Sequence, residues 1–198
     1  MFKQATNLAV ATVAAVGLAG CMMSDGGMSS TASSASTSQT VMVGGAAMFP
    51  TRNIIENAVN SADHTTLVAA VKAAGLVETL SGPGPFTVFA PTNTAFEALP
   101  PGTVPTLLQP ENKGMLTSVL TYHVVPGRLA SSDLARMISR GGGMASLTTA
   151  NGGMLTARMM GSDIVIVDAN GGVATVTQAD VMQSNGVIHV TNKVSLPG

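Results

Sequence analysis

The sequence predicts an α+β fold in which helices make up the first half of the folded part and strands make up the second. Three observations support this prediction. A strand, a proline and a helix follow one another without a gap over residues 85–99. Apolar residues before residue 122 recur at helical spacing. After that point β-branched residues and Asn-Gly pairs become frequent, and both are typical of strands joined by hairpin turns.

The strand and helix within residues 85–99 are the best-defined elements of the sequence. Side chains alternate from Phe86 to Ala90 with the period of a strand. Pro91 ends the strand because proline has no backbone N–H to donate. Thr92 or Thr94 can cap the helix that follows, and the spacing of Thr94 and Glu97 is that of a capping box.

Large rings are scarce in this chain, which has 3% aromatic residues and no tryptophan. Phe86, Phe89 and Phe96 therefore supply most of the aromatic bulk available to a core. Phe96 and Leu99 lie one helical turn apart and are expected to face the same core. Truncation of Phe96 to alanine should cost about 3–5 kcal/mol through cavity formation.

Two helices are expected before this strand. Thr51 is placed to cap the first, and Asp63 is placed to cap the second. Gly75 stands where the second helix needs a left-handed residue at its C-terminal end. Further short helices are predicted over residues 104–108, 115–120 and 132–139.

The second half reads as strands joined by tight turns. Asn151-Gly152 and Asn170-Gly171 are flanked by β-branched or alternating segments. Asn-Gly suits the two-residue hairpin turn, which needs positive φ at both central residues. The predicted strands cover residues 154–160, 164–167 and 173–177, and a last strand begins at the third pair, Asn185-Gly186.

Three landmarks resemble the fasciclin-type (beta-Ig-H3/fasciclin) domain, a family of extracellular adhesion and matrix modules. Residues 85–99 resemble its first signature, residues 185–197 its second, and Tyr122-His123 the Tyr-His pair between them. The resemblance covers roughly residues 51–197 and implies a wedge-shaped α+β fold, with a twisted β-sandwich-like core and a cluster of helices on one side. The structural signature falls on Phe86, Phe89, Pro91, Thr92, Phe96, Asn185, Gly186 and His189.

The N-terminus resembles a bacterial lipoprotein signal that ends in a lipobox. A short positive start precedes a small apolar run, and Leu18-Ala19-Gly20-Cys21 closes the run with small residues. The run is shorter than the ~20 residues needed to cross a bilayer. The resemblance implies cleavage before Cys21 and acyl chains, such as palmitate, on that cysteine. Because Met22 follows, it also implies the outer membrane of a host with two membranes, and otherwise the cell surface.

The chain is therefore expected to have three parts. Residues 1–20 form a lipoprotein signal peptide, and residues 21–48 form the lipidated cysteine and a flexible tether rich in Ser, Thr, Gly and Met. Residues 49–198 form the fasciclin-type domain. Val41-Met42-Val43 can pair locally, but Gly44-Gly45 ends that pairing.

Charge and cysteine content exclude several classes of partner and site. Only 10% of residues are charged and the formal net charge is −1, so no basic field attracts nucleic acid. Cys21 is the single cysteine, which excludes an internal disulfide and a Cys-rich zinc cluster.

The sequence contains no motif for catalysis, a metal or a cofactor. His64, His123 and His189 have no ligand spacing. His64 is expected to be solvated in a first helical turn, and His189 to be partly buried and hydrogen-bonded in a strand. No Gly-x-Ser-x-Gly elbow or phosphate loop is present. The 13 methionines are soft ligands that suit Cu(I), but they equally serve as pliable core fillers. We predict a protein that is not an enzyme and holds no metal or cofactor.

Tyr122 and His123 are the candidate recognition residues. The resemblance links the matching pair in animal fasciclin proteins to integrin-mediated adhesion. The alternative is that an aromatic ring and an imidazole at a helix end, followed by two valines, pack inside the protein.

Two functions of different classes fit the sequence. The first is a lipid-anchored extracytoplasmic protein that binds by surface complementarity, in cell adhesion or in attachment to matrix or envelope components. Its partner would be a protein or polysaccharide of the cell surface or matrix, with weak self-association as a further alternative. A mean hydropathy of +0.38 and few charges favour mildly apolar surface patches. The second function is a carrier of a small apolar ligand, such as a lipid or pigment, between the helices and the sandwich.

Overall fold

The structure, a computed structural model, describes residues 40–198. The predictions for the signal peptide, for Cys21 and for the tether up to residue 39 lie outside the described residues. Within residues 40–198 no helix is long and apolar enough to cross a membrane.

Helices cluster in the first half of the described chain and strands in the second, as predicted. The helices are α1 (Ile54–Ala58), α2 (Thr65–Ala74), α3 (Val77–Ser81), α4 (Asn93–Glu97), α5 (Thr103–Leu107), α6 (Lys113–Tyr122) and α7 (Ser131–Arg140). The strands are β1 (Val41–Val43), β2 (Ala46–Met48), β3 (Phe86–Pro91), β4 (Val124–Pro126), β5 (Met144–Thr148), β6 (Met154–Met160), β7 (Asp163–Val167), β8 (Val173–Gln183) and β9 (Gly186–Thr191). The strand predicted over residues 154–160 is confirmed at both ends.

Strands β3 to β9 form one sheet in the order β4-β3-β9-β8-β7-β6-β5. β3 and β9 are parallel, and the other neighbouring strands are antiparallel. The sheet curls until its two end strands, β4 and β5, approach each other. The N–H of Ala150, just after β5, donates to the C=O of Val124 in β4 at 2.7 Å. This near-barrel with helices packed against it is the predicted α+β wedge.

β3 lies between two hydrophobic cores. Val88 and Ala90 belong to the first core, which packs α1, α2, α4 and α6 against the sheet. Phe89 belongs to the second core, which is formed mainly by β5, β6, β7 and α7. Successive side chains of a strand point to opposite faces, so the alternation in β3 serves both cores.

β1 and β2 correct the predicted boundary between tether and domain. The two strands pair as an antiparallel hairpin, and Val43 and Met48 are buried in the first core. The C=O of Gly44 accepts a hydrogen bond from the N–H of Ala62 at 3.1 Å. Residues 41–48 are therefore part of the folded domain, because two of their apolar side chains are covered by residues distant in sequence.

The cap of α1 differs from the predicted one. Asn53, rather than Thr51, caps the helix: its Oδ1 accepts from the N–H of Glu56 at 2.8 Å, and the Glu56 carboxylate accepts from the N–H of Asn53 at 2.9 Å. The capping box predicted to begin at Thr94 is wrong. The hydroxyl of Thr94 pairs with that of Thr92 at 3.1 Å, and no side chain of the described residues caps α4.

The cap of α2 comes from the neighbouring helix α4. Oδ1 of Asn93 accepts from the N–H of Thr66 at 3.0 Å, and Nδ2 of Asn93 donates to the C=O of Ala62 at 2.8 Å. Asp63, the predicted cap, lies instead in a 3₁₀ turn over Ala62–His64. Gly75 has the predicted left-handed conformation at the end of α2, with a φ of 75°.

Two of the Asn-Gly pairs lie in hairpin turns, but the turns are longer than predicted. The N–H of Gly152 donates to the C=O of Thr149, and the N–H of Thr149 donates to the C=O of Gly153, both at 2.9 Å. This is a three-residue loop in which Gly152 has a φ of 85° while Asn151 keeps a negative φ. A type I turn followed by a left-handed glycine gives this pattern, and residues 168–172 repeat it.

The third pair, Asn185-Gly186, does not form the turn before β9. Ser184 and Asn185 make that turn, because Gln183 pairs with Gly186 across the two strands. Gly186 is needed for another reason. A Cβ at this position would lie 2.2 Å from the carbonyl oxygen of Phe86 in the parallel neighbour β3.

Gly186→Ala is expected to lower the free energy of unfolding by about 2–3 kcal/mol, because the backbone of β3 must move to accept the methyl group. Gly114→Ala is the matched control. The described residues leave open space around the Cβ position of Gly114 in α6, so alanine there should stabilise the protein by about 0.5–1 kcal/mol. Urea unfolding followed by circular dichroism measures both changes. Equal effects of the two substitutions would contradict the assignment of Gly186 to a close strand approach.

Candidate functional site

Tyr122, the last residue of α6, is buried in the second core with 1% of its surface exposed. Its hydroxyl donates to the C=O of Met154 at 2.7 Å and accepts from the N–H of Ala169 at 3.0 Å. Burial raises the pKa of the Tyr122 hydroxyl, so the hydroxyl remains a donor at neutral pH. Gly153 lies against the ring, where a Cβ would come within 2.7 Å of it. Tyr122 therefore joins α6 to two hairpin loops.

His123 connects α6 to the C-terminal segment and is 3% exposed. Its Nε2 accepts from the N–H of Ser195 at 3.0 Å, so the ring proton is on Nδ1, which donates to the C=O of Val119 at 2.8 Å. Burial lowers the pKa of His123, and the Val119 carbonyl and the charge of Asp168 oppose this effect to a smaller extent. The imidazole is therefore neutral at physiological pH.

The positions of Tyr122 and His123 correct the expectation of direct partner contact through this pair. Both side chains are buried, and their polar atoms are engaged by backbone groups of the same chain. A partner would have to open the second core or detach the C-terminal segment before it reached either ring. The pair holds α6 in place, which is the packing alternative stated above.

His189, on β9, is fully buried rather than partly buried as predicted. Its Nε2 donates to the C=O of Leu129 at 2.8 Å, and its Nδ1 accepts from the N–H of Asp180 at 3.3 Å. The ring stacks on Phe89 with the ring centroids 5.6 Å apart. Burial lowers the pKa of His189, against smaller opposing effects of the Leu129 carbonyl and the charge of Asp180. The expected hydrogen-bonded, structural role of His189 agrees with these contacts.

Asp180 lies in an irregular part of β8 and has a left-handed backbone, with a φ of 59°. Its carboxylate accepts hydrogen bonds from the N–H and the hydroxyl of Ser131, the first residue of α7. His189 contacts the backbone N–H of Asp180 rather than its carboxylate. The Asp180 carboxylate thus fastens α7 to β8, while His189 holds the backbone of Asp180.

The predicted signature residues occupy structural positions. Oδ1 of Asn185 accepts from the N–H of Ile54 at 3.0 Å, and Nδ2 donates to the carbonyls of Leu80 and Gly82 at 2.8 and 2.9 Å. Asn185 thus joins α1, the end of α3 and the turn before β9. Pro91 ends β3, Thr92 precedes α4, and Phe86 and Phe96 pack in the first core.

His64 is buried, which corrects the expectation that it is solvated. It is 3% exposed, and its Nδ1 lies 2.9 Å from the hydroxyl of Ser61. No atom of residues 40–198 completes a hydrogen bond with its Nε2. Burial lowers the pKa of His64, while the nearby carbonyl of Ala90 and the charge of Asp63 oppose this effect. Nε2 of His64 therefore lies inside the protein without a hydrogen bond of normal geometry, although the carbonyl of Ala90 is close to the ring. No motif in the sequence predicts this arrangement.

An apolar cavity lies beside His64 in the first core. It has a volume of about 40 Å³ and is lined by aliphatic residues from the β1–β2 hairpin, α1, α2 and the sheet. Val43, Met48 and Ala58 are among them, and His64 and His123 are the two histidines in the lining. The volume exceeds the roughly 10–15 Å³ that one water needs but falls below the roughly 150 Å³ of an engineered cavity that binds benzene. A lipid or pigment does not fit in this volume.

Methionine is the commonest of the large hydrophobic residues that are exposed in the described part of the chain. Of the eight large hydrophobic side chains that are exposed among the described residues, six are methionines. Met144, Met154 and Met160 share one solvent-facing side of β5 and β6, where they are 55–56% exposed. We call this surface the methionine face. Arg158 lies on it, directly opposite Met144.

Side chains that could hold a metal ion do not converge in the described chain. Within residues 40–198 no three His, Cys, Asp or Glu side chains come together in a metal-binding arrangement. The arrangement of the three histidines has a different chemical consequence. Each is buried and neutral at pH 7; His64 and His123 line the same cavity, whereas His189 stacks on Phe89 in another part of the domain.

Comparisons with known proteins agree with this fold. The model of the Fasciclin domain family matches residues 62–197. Protein sll1483 of Synechocystis sp. is 48% identical over 161 residues, which is 81% of this chain and 82% of that protein. The transforming growth factor-beta-induced protein ig-h3 of Sus scrofa is 40% identical over 131 residues, which is 66% of this chain and 17% of that protein.

A solved structure has the same fold. It is a FAS1 domain pair from the insect cell adhesion molecule Fasciclin I, which aligns with a TM-score of 0.66 and 20% identity over 74% of this chain and 51% of that chain. The order of helices and strands, the family match to residues 62–197 and the sequence identity to sll1483 lead to one conclusion. This chain belongs to the fasciclin domain family.

Proposed function

We propose that the protein is a lipid-anchored extracytoplasmic binding module, which attaches the cell to matrix, to other cells or to envelope components. Cys21 would carry the anchor, and the domain would bind a protein or polysaccharide by surface complementarity. The fasciclin domain supports this proposal, since the aligned solved structure comes from a cell adhesion molecule. No catalytic step is part of the proposed function.

The methionine face gives the strongest support for a binding function. Met144, Met154 and Met160 expose flexible thioether side chains on a regular two-stranded surface. Methionine adapts its shape to a partner at little cost, and it is frequent at adaptable binding surfaces. The face has few charges, so binding there would depend on apolar contact rather than on electrostatic steering. The buried pair Tyr122-His123 would support the fold from within.

An attachment assay tests this function. We expect cells with the full chain to attach to matrix or to each other, and cells with residues 41–198 deleted to lose attachment. The triple variant Met144→Thr, Met154→Thr, Met160→Thr should weaken binding roughly tenfold or more, because it removes the apolar contact area of one face. Its melting temperature should change little, since the three side chains are exposed.

Two controls separate the parts of the proposal. Met115→Gln removes an exposed methionine of α6, outside the methionine face, and should leave attachment unchanged. Cys21→Ala should move the protein from the membrane fraction to the soluble fraction. Unchanged attachment after deletion of residues 41–198 would contradict the binding function. Loss of attachment in the deletion but not in the triple variant would place the binding surface elsewhere on the domain.

A further inference from the structure

The cavity in the first core is lined by a polar ring nitrogen as well as by aliphatic side chains. His64 lines it, and Nε2 of His64 completes no hydrogen bond with any atom of residues 40–198. Buried polar groups are normally paired, because an unpaired one loses its hydrogen bonds to water on folding. An unpaired nitrogen beside an apolar cavity therefore points to a partner that is not part of the described chain.

His123 lines the same cavity and serves as an internal comparison. Both of its ring nitrogens are engaged, Nδ1 by the C=O of Val119 and Nε2 by the N–H of Ser195. The remaining lining is almost entirely aliphatic. A molecule in the cavity would thus find Nε2 of His64 and the nearby carbonyl of Ala90 as polar groups, and mainly apolar contact in other directions.

The hydrogen bonds around His64 indicate which polar group a bound molecule would carry. The Ser61 hydroxyl lies 2.9 Å from Nδ1 of His64 and 3.3 Å from the C=O of Val43. If Ser61 donates to Val43, Nδ1 carries the ring proton and Nε2 is an acceptor; if Ser61 donates to Nδ1, Nε2 carries the proton. A hydroxyl group pairs with Nε2 in both tautomers, because it is both a donor and an acceptor.

The volume and the apolar lining of the cavity indicate the size of the bound molecule and the nature of its remaining atoms. Its volume of about 40 Å³ is enough for water, but buried waters typically make about three hydrogen bonds, and Nε2 of His64 with the carbonyl of Ala90 supplies fewer partners than that. A short alcohol makes the same hydrogen bond and adds contacts between its carbon atoms and the aliphatic lining. The volume favours roughly three to five heavy atoms, between water and benzene in size.

We propose that this cavity is a binding site for a small apolar molecule with one hydroxyl group. The hydroxyl pairs with Nε2 of His64, and the carbon atoms lie among aliphatic side chains of the first core. This site is independent of the methionine face, which lies on β5 and β6. Its occupant is smaller than the lipid or pigment considered from the sequence.

A ligand would reach the cavity by displacement of the β1–β2 hairpin. Val43 and Met48 cover the cavity from this hairpin. Outside the pairing of the hairpin itself, three of its carbonyls accept hydrogen bonds from the rest of the domain: Gly44 from Ala62 and Met42 from Gln178, both at 3.1 Å, and Val43 from the hydroxyl of Ser61 at 3.3 Å. A hairpin of two three-residue strands held by such contacts can move apart from the sheet at lower cost than a central strand. Met48 is flexible and can adjust to a ligand.

Nuclear magnetic resonance of the full-length protein, with ¹⁵N-labelled histidine, tests the proposal with 1-propanol and xenon as probes. We expect 1-propanol to shift the His64 ring nitrogens in a saturable way, with a Kd of order millimolar. The ring nitrogens of His123 should move less, because both are already paired. Xenon, which is apolar and makes no hydrogen bond, should compete with 1-propanol for the same site.

Two variants complete the test. Ala58→Val fills the cavity and should weaken the 1-propanol effect at least tenfold, whereas Ala74→Val changes a buried alanine outside the lining and should preserve it. If Ala58→Val does not fold, the contrast between His64 and His123 and the xenon competition decide the result. Shifts that rise linearly and equally at His64 and His123 would overturn the proposal. Xenon binding without 1-propanol binding would also overturn it, because the site would then be a plain void.

Discussion

A change from pH 7 to pH 5 is expected to lower the free energy of unfolding of this domain. All three histidines of the chain are buried, and burial lowers the pKa of each below the usual value of 6.5. The unfolded chain therefore binds protons that the folded chain does not bind. Stability is fully present above about pH 6.5 and decreases as the pH falls from there toward the lowered folded-state pKa values.

Burial is the main reason why the folded protein resists protonation of its histidines, and two hydrogen bonds to ring nitrogens act in the same direction. Nε2 of His123 accepts from the N–H of Ser195, and Nδ1 of His189 accepts from the N–H of Asp180. A proton on either nitrogen would place two N–H groups against each other, and the buried ring would be poorly solvated in its charged form. The nearby carboxylates of Asp168 and Asp180 favour the charged forms, but burial is the larger effect.

Urea unfolding at a series of pH values measures this effect. Each histidine contributes at most about 1.4 kcal/mol per pH unit, so three contribute at most about 4 kcal/mol per pH unit. That slope is large beside the 5–15 kcal/mol that stabilises most domains. In the folded state the three imidazole C–H resonances should titrate at a lower pH than in the unfolded chain. Equal titration in the two states, or a constant free energy of unfolding from pH 7 to pH 5, would contradict the prediction.

The parts of the fold that the sequence predicts are those with a strong local period. The alternating pattern of β3 predicts which of its side chains share a face, and the bounds predicted for β6 are the observed ones. Both predictions succeed because side chains of a strand alternate between its two faces whatever surrounds the strand. The sequence predicts the local pairing of Val41–Val43, but not the continuation through Gly44-Gly45 or the burial of the hairpin over residues 41–48. It is short and rich in Gly, Ala and Met, and its burial depends on contacts with residues far along the chain.

The candidate site was the least predictable part for the same reason. The environment of His64 depends on the packing of β1, α1 and β3 around it, and no spacing in the sequence reports that packing. Asn185 bonds to Ile54, 131 residues away. The resemblance placed Asn185 among the structural residues, but only the fold shows which backbone groups it satisfies.

Truncation of the buried phenylalanines should give the largest single-residue losses of stability. Phe89→Ala is expected to cost about 4–5 kcal/mol, near the upper limit for such changes, because Phe89 is 1% exposed and stacks on His189. Phe96→Ala should cost about 3 kcal/mol. Phe96 is 7% exposed and lines a surface groove with Pro100, so water can enter the space left by the ring.

Phe49→Ala is the matched control for this series. Phe49 is 39% exposed, and its ring lies 4.9 Å from the guanidinium of Arg52, so its loss should cost less than about 1 kcal/mol. Urea unfolding at pH 7.5, where the histidines are neutral in both states, measures all three variants without interference from proton uptake. The expected loss of free energy of unfolding follows the burial of the three rings: it is largest for Phe89, smaller for Phe96 and smallest for Phe49. A cost for Phe96→Ala above that for Phe89→Ala would mean that the first core, not the second, holds the sheet and helices together.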